Sequence, residues 1–234
     1  MSPTKSKFFS ILSSHASYIL NGEPRPSEFA PPFHTLKETF DIVIASPQEG
    51  EAPLDTNSIA YAKDDEESME FYRTRSDLWK NTLTFAIDRS KFTGVPYVGS
   101  HGPMFDLAHH KASQGIIRGL GEAGKVISAV CHGPAALVNV KLSDGGHLVV
   151  GSKVNGFTNR EDVAFGTASA MPFMLEDALE GHAGEEDGGE FVGGEMWAEK
   201  AVVEKDGRLV TGQNPTSARG WQQPFSRRLS YEKR

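Results

Sequence analysis

The chain has 234 residues, 38% of them hydrophobic, and a formal net charge of −7 from 24 Lys and Arg against 31 Asp and Glu. A chain of this length can enclose a full core, and single domains of this size are common among α/β folds, so we expect one domain over residues 1–234. The acidic balance argues against nucleic acid or an anionic membrane surface as a partner.

Short apolar runs alternate with helix-like segments, which is the pattern of βαβ units and a mostly parallel sheet. In the N-terminal part, residues 7–14 predict a first strand and residues 40–46 predict a second, buried strand. Between them, residues 27–39 predict a short helix that is interrupted at Pro31 and Pro32, because proline lacks a backbone donor and clashes inside a helix.

The acidic stretch 62–81 predicts one surface helix that turns its apolar side chains inward. Helical spacing of this kind indicates packing rather than contact with a cofactor. The inward residues are Met69, Phe71, Tyr72, Leu78 and Trp79.

The middle of the chain predicts two further strands. Residues 94–124 predict a strand, a turn of Gly, Ser, His and Gly, and then a helix. Residues 125–130 predict a strand of β-branched residues that ends at Cys131, and the following "GPAALVNV" predicts the start of another helix.

The C-terminal third predicts loops and helices over 153–165 and 171–184. Residues 201–220 predict a hairpin with Asp206-Gly207 at its turn, followed by a last helix.

Cys131 is the only cysteine, and it can be a small buried hydrophobe or a nucleophile. A strand, a sharp turn and a helix form the geometry of a nucleophile elbow, where a helix N-terminus favours the thiolate. His132 can then carry the proton. Since one cysteine cannot form an internal disulfide and the N-terminal 20 residues are unlike a signal peptide or a membrane span, we expect a cytoplasmic protein.

Five separate segments together resemble the ThiJ/PfpI superfamily, and more narrowly its heat-shock-associated glyoxalase III, or D-lactate dehydratase, branch. In chain order they are "GSHGPMFDL", "AVCHGPAAL", "NGFTNRED", "PFMLEDAL" and "LVTGQNPTSA". The resemblance covers nearly the whole chain. It implies a class I glutamine amidotransferase-like, flavodoxin-like α/β fold, with a mostly parallel sheet between helices, and a homodimer.

The resemblance also implies the site. The nucleophile of the family falls on Cys131 and its catalytic histidine on His132. An acidic residue after the first strand falls on Glu28, where burial favours a protonated carboxyl that donates to the thiolate. A third carboxylate follows "GFTN", and an ungapped count favours Asp162 over Glu161.

The chain departs from the family at the oxyanion turn. Relatives have a glycine where this chain has Ser100, within Gly99-Ser100-His101-Gly102. The N–H groups of Ser100 and His132 can still donate, but serine adopts a positive φ only at a cost. His101 can contact the substrate or hold the turn.

The resemblance implies a small electrophilic substrate such as methylglyoxal, which becomes lactate through a Cys131 hemithioacetal with no metal or organic cofactor. Two alternatives stay open. One is a cysteine-dependent hydratase, hydrolase or lyase for another electrophile, such as an isocyanide, an amide, a glycated adduct or a secondary metabolite; the other is a stress-associated chaperone or redox sensor. The adjacent His109 and His110 suggest metal binding only weakly, because no ligand set completes them.

Overall fold

The computed structural model describes residues 6–15, 26–54, 59 and 62–218. The strands are β1 (Ser6–Ile11), β2 (Phe40–Ala45), β3 (Gly94–Tyr97), β4 (Val126–Val130), β5 (Lys153–Val154), β6 (Glu190–Phe191), β7 (Ala201–Glu204) and β8 (Leu209–Gly212). The helices are α1 (Pro26–Lys37), α2 (Glu66–Thr74), α3 (Asp77–Lys80), α4 (Gly102–Phe105), α5 (Lys111–Glu122), α6 (Ala135–Val138), α7 (Asn159–Phe165) and α8 (Leu175–Ala183). Short 3₁₀ segments lie at Arg89–Lys91, Leu107–His109, Ala168–Ala170, Lys205–Gly207 and Pro215–Ala218.

The main sheet has the strand order β2-β1-β3-β4-β8-β7. Every neighbouring pair is parallel except β7 and β8, so β7 is an antiparallel edge strand. The five parallel strands follow the 2-1-3-4-5 order of flavodoxin-like folds, which confirms the predicted fold class. In such a sheet, ligands bind at the carboxyl ends of the strands where the order reverses, and here that point lies between β1 and β3.

The central strands of the sheet are buried on both faces, as expected for parallel strands between helices. β3 and β4 are buried at every position. Successive side chains point to opposite faces, so Phe9 packs in the core with Ile117 of α5, whereas Phe8 packs with Leu36 of α1. The helices therefore fix the sheet from both sides.

α1 runs without a break through Pro31 and Pro32, so the predicted interruption is wrong. The φ of proline is compatible with a helix, and its cost is mainly the lost donor and a local clash. Both prolines are buried, and Phe29 and Phe33 pack against Phe71 of α2 with ring centroids 5.1 and 5.3 Å apart. This packing offsets the cost.

The acidic stretch forms two helices, α2 and α3, where one was predicted. α2 ends at Thr74, and the N–H of the next residue, Arg75, donates to the carbonyl of Phe71. α3 then places Trp79 in the core. Phe71 and Trp79 are buried as predicted. The other apolar residues of this stretch are only half-buried: Met69, Tyr72 and Leu78.

Several boundaries also differ from the prediction. The first strand ends at Ile11 rather than at residue 14, the helix predicted after the Gly-Ser-His-Gly turn is divided into α4, a 3₁₀ turn and α5, and α6 is a single turn. The hairpin at Asp206-Gly207 is confirmed, with φ values of 55° and 81° at the two turn residues. A 3₁₀ segment, Pro215–Ala218, follows β8, and the last helix predicted after residue 220 lies outside the described residues.

Within the described residues, no helix combines the length and the apolar character that crossing a bilayer requires.

Candidate active site

Cys131 lies at a sharp turn directly after β4. Its φ is 59°, a left-handed conformation that costs a non-glycine residue about 1–3 kcal/mol. Its N–H donates to the carbonyl of Gly212 at 2.9 Å, and its carbonyl accepts from the N–H of Phe157 at 2.8 Å. A Cβ on Gly133 would lie 2.6 Å from the carbonyl oxygen of Tyr97, so the turn requires glycine there. The chain thus builds the predicted nucleophile elbow.

Cys131, His132 and Asp162 form a connected row. The Sγ of Cys131 lies 3.5 Å from the Nδ1 of His132. The other ring nitrogen, Nε2, lies 3.2 and 3.3 Å from the two carboxylate oxygens of Asp162. Because a carboxylate accepts, Nε2 carries a proton, and Nδ1, which faces the sulfur, is placed to take up the proton of the thiol.

Helix α7 holds Asp162 in place. The Thr158 side chain accepts from the N–H of Glu161 to cap the helix. The hydroxyl of Thr167 donates to Oδ1 of Asp162 at 2.8 Å. The carboxylate is therefore fixed by its own helix and by the following turn before it contacts His132.

Glu161 has a different set of partners. Its Oε1 accepts from the N–H of Trp197 at 2.9 Å and from the side-chain amides of Gln213 and Asn214 at 3.0 and 2.8 Å. Its Oε2 accepts from the N–H and the hydroxyl of Thr158. Burial alone raises the pKa of Glu161, but these hydrogen bonds outweigh it and hold the pKa below its ordinary value.

Glu28 lies beside the elbow. Its carboxyl oxygen Oε2 would overlap a Cβ placed on Gly99, and the Cβ of Cys131 is 2.6 Å from that same position. The switch point of the sheet thus brings the first turn of α1 and the residues after β3 and β4 together. Glu28 is fully buried.

The turn after β3 keeps a positive φ despite its serine. Ser100 has φ = 87°, a conformation that strains a serine by about 1 kcal/mol or more. His101 is buried, and its ring centroid lies 4.7 Å from that of His132. The turn of Gly99, Ser100 and His101 therefore lies beside Cys131 and His132.

Two aromatic residues lie between this site and the exposed side chain of Trp197. Phe157 packs on His132 with ring centroids 4.5 Å apart, and Phe165 lies 5.9 Å from His101. Trp197 contacts both phenylalanines at 5.8 and 6.2 Å and is 43% exposed. Trp197 was not predicted from the sequence, although an aromatic residue in a Gly- and Glu-rich loop was an available signal.

Two groups of histidines differ in whether their ligand atoms lie close enough together to bind one metal ion. The ligand atoms of His101, His132 and Asp162 lie within 4.8 Å of one another and could hold a metal ion. His109 and His110 contact different partners. The Nδ1 of His109 lies 3.4 Å from the amide nitrogen of Asn139, and the Nδ1 of His110 accepts from a backbone N–H of α5.

The site combines a thiol, an imidazole oriented by a carboxylate, and a second buried carboxyl. These groups suit addition of a thiolate to a carbon electrophile, followed by proton transfer. Because Cys131 and His132 are fully buried, the arrangement favours a small substrate.

Known proteins share both sequence and architecture with this chain. A glutathione-independent glyoxalase of Schizosaccharomyces pombe is 30% identical over 203 residues, which cover 82% of this chain and 83% of that protein. The crystal structure of glyoxalase III from Candida albicans has a TM-score of 0.76 at 25% identity, covering 92% of this chain and 93% of that chain. The Rapid Encystment Protein 24 KDa of Francisella tularensis has a TM-score of 0.85 at 26% identity, covering 95% and 98%. No protein-family model matches the sequence.

Proposed function

The chain belongs to the glutathione-independent glyoxalases, the glyoxalase III branch of the ThiJ/PfpI superfamily, and from that premise we propose that it converts methylglyoxal to lactate through a covalent adduct on Cys131. The observation that carries the proposal is the row from the Sγ of Cys131 through the ring of His132 to Asp162.

The first step is addition of sulfur to the aldehyde carbon. The Nδ1 of His132 accepts the thiol proton, and the thiolate of Cys131 forms the C–S bond. The aldehyde oxygen gains the electron pair of the broken π bond and takes up a proton, which gives a hemithioacetal. The N–H groups of Ser100 and His132 are the proposed donors to that oxygen.

The second step moves a proton between neighbouring carbons. A base removes the hydrogen from the former aldehyde carbon, and the electron pair of that bond forms an enediol with the neighbouring carbonyl. The neighbouring carbonyl oxygen takes up a proton as the enediol forms. A proton then adds to the second carbon while the hydroxyl on the former aldehyde carbon loses its proton, which leaves a thioester on Cys131. His132 and Glu28 are the two candidates for this transfer, since both lie against the sulfur-bearing residue.

The third step is hydrolysis. Water adds to the thioester carbon, the C–S bond breaks, and lactate leaves while Cys131 regains its proton. The overall change adds one water to methylglyoxal, and no step needs an oxidant, a reductant, a metal or an organic cofactor.

The same proposal includes a single domain over residues 1–234 that acts as a cytoplasmic homodimer. A reactive thiol supports a reducing compartment. Light scattering on the purified chain measures the oligomeric state, and a mass of one chain would remove the homodimer.

The experiment follows methylglyoxal loss and lactate formation without glutathione, using the wild type and Cys131→Ala. We expect turnover by the wild type and a loss of at least about 10⁴-fold in the variant. In D₂O, a proton shuttle that exchanges with solvent places deuterium on C2 of lactate, whereas a direct hydride shift leaves hydrogen there.

A matched control separates chemistry from folding. His109→Gln changes an exposed histidine outside the site and should leave turnover unchanged, and both variants should keep the near-UV circular dichroism of the wild type. If the folded wild type leaves methylglyoxal intact while Cys131 still reacts rapidly with iodoacetamide, the substrate is a different electrophile and the glyoxalase proposal fails.

A further inference from the structure

A second histidine–carboxylate group lies away from the elbow. We call His147, His182 and Glu185 the distal cluster. The Nδ1 of His182 lies 2.8 Å from Oε1 of Glu185, and the Nδ1 of His147 lies 3.2 Å from the same oxygen. The two imidazole rings are stacked with their centroids 3.7 Å apart. Two rings and one carboxylate thus converge on a small volume.

The spacing of these donor atoms fits a metal ion. Zinc bonds of about 2.0–2.1 Å at tetrahedral angles place ligand atoms about 3.3 Å apart. The 3.2 Å separation between the Nδ1 of His147 and Oε1 of Glu185 is close to this value, and the 2.8 Å separation between the Nδ1 of His182 and the same oxygen is shorter. All three ligand atoms lie within 4.8 Å of one another. Modest side-chain movement is enough to close the site.

The backbone on both sides of the cluster is fixed before any ligand arrives. His147 is followed by the buried Leu148 and Val149. His182 is in the last turn of α8, next to the buried Ala183, whose carbonyl accepts from the N–H of Gly151 at 3.1 Å. Two donors on separate segments are therefore held at a set distance, so binding orders few side chains.

Exposure and charge also favour a hydrated cation. The side chains of His147, His182 and Glu185 are 14%, 29% and 43% exposed, which leaves room for water to complete the coordination. The next two residues, Glu186 and Asp187, are exposed acidic groups that add negative potential beside the cluster.

We propose that the distal cluster binds a zinc-class divalent metal ion through His147, His182 and Glu185. Two imidazoles and one carboxylate form a ligand set that zinc accepts, with one position left for water. The bound ion links the loop that carries His147 to the C-terminal end of α8.

The distal cluster is separate from the elbow. Leu175, at the start of α8, and the carbonyl of Cys131 both lie within 3.2 Å of the position of a Cβ on Gly156. His182 follows seven residues later, and at 1.5 Å per residue it is about 10 Å farther along the helix. The proposal therefore does not depend on the glyoxalase activity.

The test is a titration of Zn²⁺ into the metal-free full chain by calorimetry. The background is Cys131→Ser, because a thiolate at the elbow is itself a zinc ligand. We expect one site, weakened about tenfold or more by His182→Gln and by His147→Gln, since even changes behind the ligands cost 10–100-fold. Zn²⁺ should also raise the melting temperature of the background and not that of either variant.

Two controls locate the ion. His109→Gln, an exposed histidine outside both clusters, should leave the affinity unchanged. His101→Gln tests the buried group of His101, His132 and Asp162. The proposal is overturned if zinc affinity survives the loss of both distal histidines, if His101→Gln abolishes it, or if the background binds no zinc. Variants are compared only where their near-UV circular dichroism matches the background.

Discussion

Glu161 and Asp162 are neighbours in the chain but belong to two different parts of the molecule. Asp162 contacts His132 and through it the sulfur of Cys131. Glu161 accepts hydrogen bonds from the N–H of Trp197 and from two side-chain amides after β8. Successive residues on a helix point about 100° apart, so one turn of α7 supplies both regions.

The two carboxylates therefore have different roles, although they are the same chemical group. Asp162 can assist catalysis because it contacts His132, which in turn contacts the nucleophile Cys131. The region of Glu161 holds the loop of Trp197 against Phe157, which covers His132. We therefore expect a change at Asp162 to act on catalytic rate, and a change at Glu161 to act first on stability.

Asp162→Asn should have the largest effect. The amide cannot stabilise an imidazolium, and its NH₂ group favours the wrong tautomer of His132. We expect kcat/KM for methylglyoxal to fall by about 10³–10⁴-fold, as when a carboxylate is removed from a comparable triad. Steady-state kinetics measure this, and a loss below tenfold in a folded variant would separate Asp162 from the catalytic row.

Glu161→Gln should reverse that pattern. Both oxygens of Glu161 accept hydrogen bonds, so the NH₂ group of the glutamine would face N–H or O–H donors in either orientation. Those buried donors lose their acceptor, at a cost of about 2–3 kcal/mol. Urea unfolding should show this loss while kcat/KM at 20 °C falls by tenfold or less. Unchanged stability together with a thousandfold loss of turnover would contradict the assignment and exchange the two roles.

Trp197→Ala tests whether the loop of Trp197 contributes to substrate binding rather than to the chemical step. Removing the indole takes away its contacts with Phe157 and Phe165, which lie between Trp197 and the site. The cover over His132 is then looser, at a cost of about 1 kcal/mol of apolar contact. We expect KM to rise about fivefold with kcat within twofold of the wild type, and Trp197→Phe should restore most of the affinity. An equal fall in kcat and kcat/KM would instead place Trp197 in the chemical step.

The smallest expected effect is a difference in acid stability between the wild type and Glu161→Gln. The pKa of Glu161 is lower in the folded chain than its ordinary value of 4.5. A lowered folded pKa contributes stability above the unfolded pKa, and that contribution is lost as the pH falls through the folded value. The wild type should therefore lose stability below about pH 4.5 more steeply than Glu161→Gln; parallel curves would contradict the charged network.

The sequence predicted the fold well because apolar strands alternating with helices leave few other α/β arrangements. The residue pattern predicted the turn at Cys131, whereas the family resemblance placed Glu28 beside it, and the two residues lie together in the structure. The residue pattern could not choose between Glu161 and Asp162, because the choice depends on the rotation of α7 about its axis. The predicted break in the helix at Pro31 and Pro32 was wrong. It took account of the lost backbone donors and the steric clash but not of the packing of Phe29 and Phe33. His147 and His182 are 35 positions apart, so no spacing rule joined them.

The central claim is that Cys131 is a reactive thiolate within a buried site, and its alkylation tests this most directly. As the only cysteine, it gives one unambiguous mass shift with iodoacetamide. At pH 6 an ordinary thiol with a pKa near 8.5 is only about 0.3% ionised. We predict that the folded chain is alkylated at pH 6 faster than the same chain in urea, and slower alkylation of the folded chain would contradict the account.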